Sequence, residues 1–202
     1  MDFECSFELW LVRHGQTEDN LTRTIAGQGP SQLTPHGEQQ ARRLGKRLAA
    51  TPFDLAFVSD LPRTKKTFDN IILEHKTLPP PVLTALLREK AAGVMQGKSV
   101  SDWDKLAKQF EADKKGAYRE FKAKDAESWV DVNRRAEVLV VTHGGFIMEF
   151  HNVVNKLTEG KAPEFRNTAK NCSIHSFKVV RAEGGLRVSK LLVNDNTHLE
   201  ED

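Results

Sequence analysis

The chain predicts an α/β fold, a three-layer α/β/α sandwich around a mostly parallel sheet. Three observations carry this. Short apolar segments alternate along the chain with amphipathic helical ones, the order that places helices on both faces of a sheet. The strand segments, such as residues 9–12 and 138–141, are apolar at consecutive positions, as strands covered on both faces are. A helix start is marked by a capping hydroxyl followed by proline in Thr34-Pro35.

At 202 residues the chain fits one domain over 1–202, with a helical cap around residues 99–135. A hydrophobic share of 39% and a charged share of 29% exclude wholesale disorder. A net charge of +2 is too small to indicate nucleic acid, and the lysine-rich stretches are interleaved with acids, as solvated faces are. No apolar run approaches the ~20 residues of a membrane span. Asp2 and Glu4 precede the first apolar stretch, the opposite polarity from a signal peptide. Cys5 and Cys172 have neither disulfide-framework nor zinc spacing. The expected setting is a reducing cytoplasm without membrane or nucleic-acid partners, and the expected state is a monomer.

Taken in order, residues 7–12 read as a buried strand. A helix opens at Thr34-Pro35, buries Ala41, Leu44 and Leu48, and ends before Pro52. Residues 55–58 form a second buried strand, leading through Ser59-Asp60 into a helix near Pro62 that Phe68, Ile71 and Ile72 anchor. After Pro79-Pro80-Pro81, residues 82–87 read as extended and deliver Arg88-Glu89 to a loop. Ser101 is expected to cap a charged helix with Trp103, Leu106, Ala107 and Phe110 inward. Residues 138–141 enter Thr142-His143-Gly144-Gly145 and a helix carrying Ile147, Phe150, Val153 and Val154. Two late strands, 172–180 and 186–193, are joined by a Glu183-Gly184-Gly185 turn. One junction is too short. A helix from Glu127 to Arg135 leaves almost nothing before the strand at Val138, whereas a parallel crossover takes a dozen or more residues. Either a segment near 135–138 is absent from the sequence or this edge is built differently, and absence is the reading adopted.

The chemistry gathers at strand ends, where open α/β sheets bind ligands. The first strand ends in Arg13-His14-Gly15, the second leads to Arg63, and a later one ends in His143-Gly144. Glu89 follows the fourth extended segment. An arginine fork suits a phosphate, an imidazole nitrogen can attack phosphorus, and glycine lets a ligand approach the backbone. Each residue alone has an ordinary structural reading. Together they make a pocket for one phosphoryl group.

Leu11-Val12-Arg13-His14-Gly15-Gln16-Thr17-Glu18-Asp19-Asn20 resembles the signature of the histidine phosphatase superfamily, the phosphoglycerate mutase-like fold. Ser59-Asp60-Leu61-Pro62-Arg63-Thr64, Leu87-Arg88-Glu89 and Val141-Thr142-His143-Gly144 match in order and spacing. Within the superfamily the chain looks most like the TIGAR-type fructose-2,6-bisphosphatases, through Gly27-Gln28-Gly29, Gly93, Gly97-Lys98, Asn171 and His198-Leu199-Glu200. Relatives of that type carry a long variable insert before the second catalytic histidine strand, which fits an absent segment.

The resemblance implies a phosphatase that works through phosphohistidine on a small phosphorylated metabolite, a sugar bisphosphate such as fructose-2,6-bisphosphate. It implies His14 as nucleophile, with Arg13, Arg63 and His143 on the equatorial oxygens, the last as imidazolium. Glu89 would be the general acid and then base. Asn20, Gly27, Gln28 and Gly144 would bind phosphate. No metal and no cofactor is implied, since guanidinium and imidazolium groups supply the charge. The chain departs from the TIGAR type at Ala92, where an aromatic hydroxyl is usual, and at Gln96, where an acid is usual. The alternatives are a cofactor-dependent phosphoglycerate mutase, a broad-specificity or protein phosphatase, and a non-catalytic phosphate-binding module. A metallohydrolase is disfavoured, because His14 and His143 lack a carboxylate cluster at ligand spacing.

Overall fold

The computed structural model describes residues 6–113, 122–128, 141–159, 169–182 and 185–199. Six strands form one sheet: β1 (Ser6–Arg13), β2 (Ala56–Ser59), β3 (Pro81–Thr84), β4 (Val141–Thr142), β5 (Ile174–Ala182) and β6 (Gly185–Asp195). Their spatial order is β3-β2-β4-β1-β5-β6. The first four are parallel, and β5 and β6 add an antiparallel edge. The helices are α1 (Glu18–Leu21), α2 (Pro35–Leu48), α3 (Pro62–Glu74), α4 (Val100–Asp113) and α5 (Gly144–Glu159). The chain leaves β1 for β2 and returns late to fill the slot between them with β4. Such a reversal opens a crevice at the carboxyl ends of the strands.

Alternation along β1 sorts the core into two layers. Val12, with Trp10 against it, faces a cluster that takes Ala41, Leu44 and Leu48 from α2 and Phe68 and Ile71 from α3. Leu9 and Leu11 face a second cluster with Ile147 and Val154 of α5 and Phe177 and Val179 of β5. Helices therefore cover both faces, as the sequence predicts. The Thr34 hydroxyl caps α2 by accepting from the Gly37 N–H at 2.9 Å, and Pro35 takes the first helical position. Gly45 lets α2 close on α3, since a Cβ there would lie 2.6 Å from the Ile71 carbonyl oxygen.

Several boundaries differ from expectation. Ile72 does not anchor α3. It is 37% exposed, because one residue of helix rotates it away from the face of Phe68 and Ile71. The extended segment stops at Thr84, and Ala85–Leu87 is a 3₁₀ turn started by the Thr84 hydroxyl, which accepts from the Leu86 N–H at 3.2 Å. The cap of α4 is Ser99, whose hydroxyl accepts from the Asp102 N–H at 3.1 Å; Ser101 lies inside the helix and bonds to the Ser99 hydroxyl. Ala107 is buried, whereas Leu106 is exposed. The Phe110 side chain, the Glu127 to Arg135 helix beyond Ser128, strand residues 138–140, the 135–138 junction, and Glu183 and Gly184 of the turn lie outside the described residues. So does the expected cap beyond α4 and residues 122–128. Among the described residues, no helix is long and apolar enough to cross a membrane.

His151 and His175 have no recognisable spacing in the sequence, yet they meet in the layer between α5 and β5. The Asn194 N–H donates to His175 Nδ1 at 3.3 Å, so that nitrogen is an acceptor and His151 Nε2–H donates to it at 2.8 Å. Burial lowers both from the ordinary value, His151 to about 3, with help from His175 and Lys190, and His175 to about 4. A histidine whose folded pKa lies below its unfolded value of about 6.5 contributes stability that is full above that pH. The contribution is lost as pH falls toward the folded value. The melting temperature is therefore expected to fall between pH 6.5 and 4. The double substitution His151→Gln, His175→Gln should flatten that slope, read by thermal denaturation across the range.

Candidate active site

Arg13 is the last residue of β1, and His14 and Gly15 begin the turn that follows. The turn is held from three sides. The His14 N–H donates to the Thr142 carbonyl at 3.1 Å. The Gly15 N–H donates to the Thr67 hydroxyl at 3.0 Å, and that hydroxyl donates to the Arg63 carbonyl at 2.7 Å. Asn171 Nδ2 donates to the His14 carbonyl at 2.9 Å. Gly15 is required because a Cβ there would strike the Gly37 carbonyl in the first turn of α2.

His14 is buried, and its Nδ1 lies 2.7 Å from the Gly15 carbonyl oxygen. A carbonyl only accepts, so Nδ1 carries the proton and Nε2 presents its lone pair. Burial holds the His14 pKa well below its ordinary value. The positive charges of Arg63 and Arg13 lower it further, against the pull of the Gly15 carbonyl. The sequence names no acceptor for this ring and suggests an ordinary pKa. The structure supplies the acceptor one residue away and corrects the pKa downward.

Two guanidiniums flank the ring. Arg63 Nη1 and Nη2 donate to the carbonyls of Gly29 at 3.1 Å and Gly27 at 2.8 Å. Gly27 turns its backbone through a positive φ of 51°, and a Cβ there would meet the Ala92 Cβ at 2.8 Å. Arg13 Nη1 donates to the Ala169 carbonyl at 2.6 Å. The Nε of each arginine is buried with no hydrogen-bond partner among the described residues. Burial lowers both, Arg63 to about 10, while the nearby Glu89 carboxylate opposes the fall. Both remain cationic at neutral pH.

His143 follows β4 and is fully buried, with Nε2 at 3.1 Å from the Ser59 hydroxyl. Its ring meets that of His14 edge-on, the centroids 5.1 Å apart. Gly144 opens α5 and leaves room for Arg13, whose Nε would be 3.3 Å from a Cβ at that position. The Glu89 carboxylate accepts from the Lys90 N–H at 2.9 Å and from the Gly145 N–H, in the first turn of α5, at 3.4 Å.

Arg13, His14, Arg63 and Glu89, with Asn20 and Gly27, border a cavity of about 250 Å³, below the roughly 300–1,000 Å³ usual for small-molecule sites. Asn20 Oδ1 accepts from the Thr17 N–H at 3.1 Å and from Asn171 Nδ2 at 3.2 Å, which leaves its Nδ2 donors for the cavity. The lining also includes the apolar Ile25, Ala26, Ala92, Val100 and Trp103, the hydroxyl-bearing Thr17 and Thr24, and a further cation, Lys90. The Lys90 ammonium sits 4.1 Å above the Trp103 ring. His143, Gly144 and Gln28 do not form the wall. Gln28 is turned away from it, with Nε2 donating to the Glu89 carbonyl at 3.1 Å and Oε1 accepting from Arg88 Nη1 at 3.3 Å.

Sequence reasoning missed Ser59, carried inside a motif, Thr67, three residues beyond that motif, and Lys90. The signal for Thr67 was its place one turn after Arg63, on the same helix face. Nothing in the sequence separates Lys90 from a surface lysine.

A family model of the histidine phosphatase superfamily (branch 1) matches residues 9–192, and the chain belongs to that superfamily. A broad-specificity phosphatase of Saccharomyces cerevisiae is 33% identical over 117 residues, 56% of this chain and 49% of that protein. The fructose-2,6-bisphosphatase TIGAR of Mus musculus is 36% identical over 105 residues, 50% of this chain and 39% of that protein. The chain thus spans half or less of the length of these curated relatives. Among solved structures, YhfR of Bacillus stearothermophilus superposes with a TM-score of 0.78 at 25% identity, covering 96% of this chain and 99% of that one. A phosphoglycerate mutase of Bacillus anthracis superposes with 0.76 at 23% identity, covering 97% and 96%, and shows the same fold.

Gly37 stands outside the cavity wall, yet a Cβ there would strike the Gln16 backbone. Gly37→Ala should therefore displace the 13–17 turn and destabilise the fold by about 1–3 kcal/mol, the usual cost of overpacking, read as a lowered melting temperature with the circular dichroism spectrum retained.

Proposed function

We propose that the protein is a phosphomonoester hydrolase that works through a phosphohistidine on a small phosphorylated metabolite. The observation that carries this is a neutral imidazole, its Nδ1 bonded and its Nε2 presenting a lone pair, near two buried guanidiniums, each with an Nε–H that no described protein atom accepts. Buried donors call for an acceptor, and a phosphoryl group offers three oxygens.

In the first step the Nε2 lone pair of His14 forms a bond to phosphorus as the ester P–O bond breaks. The proton of the Glu89 carboxyl passes to the departing alkoxide. In the second, Glu89 takes a proton from water, the water oxygen bonds to phosphorus, and the N–P bond breaks to release phosphate. The transition state is loose, so position and charge supply most of the catalysis. Arg13, Arg63 and Asn20 would hold the equatorial oxygens, with His143 fixed beside His14. Enzyme mixed with ³²P-substrate and quenched in alkaline detergent should carry acid-labile, base-stable phosphate, absent in His14→Ala. Substantial turnover by His14→Ala would end this mechanism.

The finer reading is a sugar bisphosphate such as fructose-2,6-bisphosphate. Lys90 supports it as a third cation lining the cavity after Arg13 and Arg63, one to pair with a second anionic group. The apolar part of the lining, Ile25, Ala26, Ala92, Val100 and Trp103, favours a second reading, a broad-specificity phosphatase, since apolar surface selects weakly among phosphorylated substrates. A panel of fructose-2,6-bisphosphate, 2,3-bisphosphoglycerate and phosphoglycolate decides between them. Under the first reading Lys90→Met raises KM for the bisphosphates by about tenfold, the loss of one charge-assisted contact, and leaves glycerol phosphate, added to the panel as an ester with no second anionic group, unaffected. Equal KM changes across the panel support the second.

A further inference from the structure

The bond network around Glu89 has a member outside the cavity. Asp60, just past β2, and Arg88, just past the 3₁₀ turn, form a two-pronged pair with Nε to Oδ1 and Nη2 to Oδ2 both at 2.6 Å. The third arm of Arg88 donates to Gln28 Oε1, and Gln28 Nε2 donates to the Glu89 carbonyl. The residues on either side of Gln28, Gly27 and Gly29, are the two whose carbonyls hold Arg63. A half-exposed ion pair (35% and 29%) adds little to stability. Its two-point geometry, however, fixes orientation as well as distance.

We infer that Asp60, Arg88 and Gln28 form a positioning clamp that sets the Glu89 carboxyl against the Arg63 guanidinium. The inference rests on the proposed role of Glu89 as proton donor. It also reassigns Gln28, expected from the sequence to bind phosphate, to holding the backbone of Glu89. The clamp joins the three segments that must act on one phosphoryl group. These are the 27–29 loop, the β2–α3 turn that leads into Arg63 at the start of α3, and the segment after the 3₁₀ turn that carries Glu89. Hydrogen bonding from Arg88 holds the Asp60 carboxyl below its usual range, so the pair stays ionised wherever the enzyme is assayed near neutrality.

A misplaced proton donor has a recognisable effect. It slows expulsion of an alkoxide, which needs the proton, and scarcely affects a nitrophenolate, which leaves as a stable anion. The full chain is compared as wild type, Asp60→Asn, Arg88→Lys and Gln28→Met, with kcat/KM measured on 4-nitrophenyl phosphate and on glycerol phosphate. The ratio kcat/KM reports the first transfer only. Loss of the clamp is expected to cost about 10²-fold on the alkyl ester, with a far smaller loss on the aryl ester. Across a series of substituted phenyl phosphates the dependence on leaving group should steepen. Glu89→Gln should give the limiting form of the same pattern.

A merely structural role would lower both esters together, so equal losses in the clamp variants, or none, overturn the proposal while Glu89→Gln remains selective. If Glu89→Gln is itself unselective, the proton-donor reading falls and the clamp with it. Gln28→Met keeps the side-chain length and both charges of the ion pair. It therefore supplies the test should Asp60→Asn or Arg88→Lys fail to melt cooperatively.

Discussion

Positive charge held out of water beside an uncharged imidazole is the constraint on which the site depends. Taking a guanidinium out of water costs several kcal/mol, and here two are placed within reach of one ring. The fold meets that cost with carbonyls, those of Gly27 and Gly29 for Arg63 and that of Ala169 for Arg13, and with the field of the Glu89 carboxylate. Burial is the largest influence keeping His14 unprotonated, and the charges that would hold a phosphoryl group add to it.

Much of the molecule exists to keep these groups from relaxing apart. The turn after β1 is bonded to α3 through Thr67, to β4 through Thr142 and to the start of β5 through Asn171. Glycines 15 and 37 press the same turn against the first turn of α2 with no room for a methyl group on either side. His14 thus sits where four elements meet. Small residues are needed there for contact between backbones and not for flexibility.

What the sequence made legible follows from what is periodic. Leu9 and Leu11 against Trp10 and Val12 announce a strand covered on both faces, and Thr34-Pro35 announces a helix start. His14, Arg63, His143 and Glu89 were readable because each follows a strand-like segment. Features that depend on one or two torsions were not. Ser99 and Ser101 are both plausible caps two residues apart, and only the backbone decides between them. The helix α1 is a single turn closed by Thr17 and Asn20, too short to show a period. Gln28 beside two glycines reads as a ligand contact, and which way its amide turns is set by Arg88, sixty residues on. The tautomer of His14 depends on its own neighbour's carbonyl, a matter of local geometry that no residue pattern encodes.

The position of β4 has a consequence for biosynthesis. This strand lies between β1 and β2 but comes more than eighty residues after the second of them. Until the ribosome has delivered Val141 and Thr142, β1 and β2 have no shared neighbour. The nascent polypeptide carries two apolar edges with unmet backbone groups, the kind of surface that invites self-association. Protection during translation is thus a requirement of this topology, and the last strand to enter the middle of the sheet also delivers the second histidine.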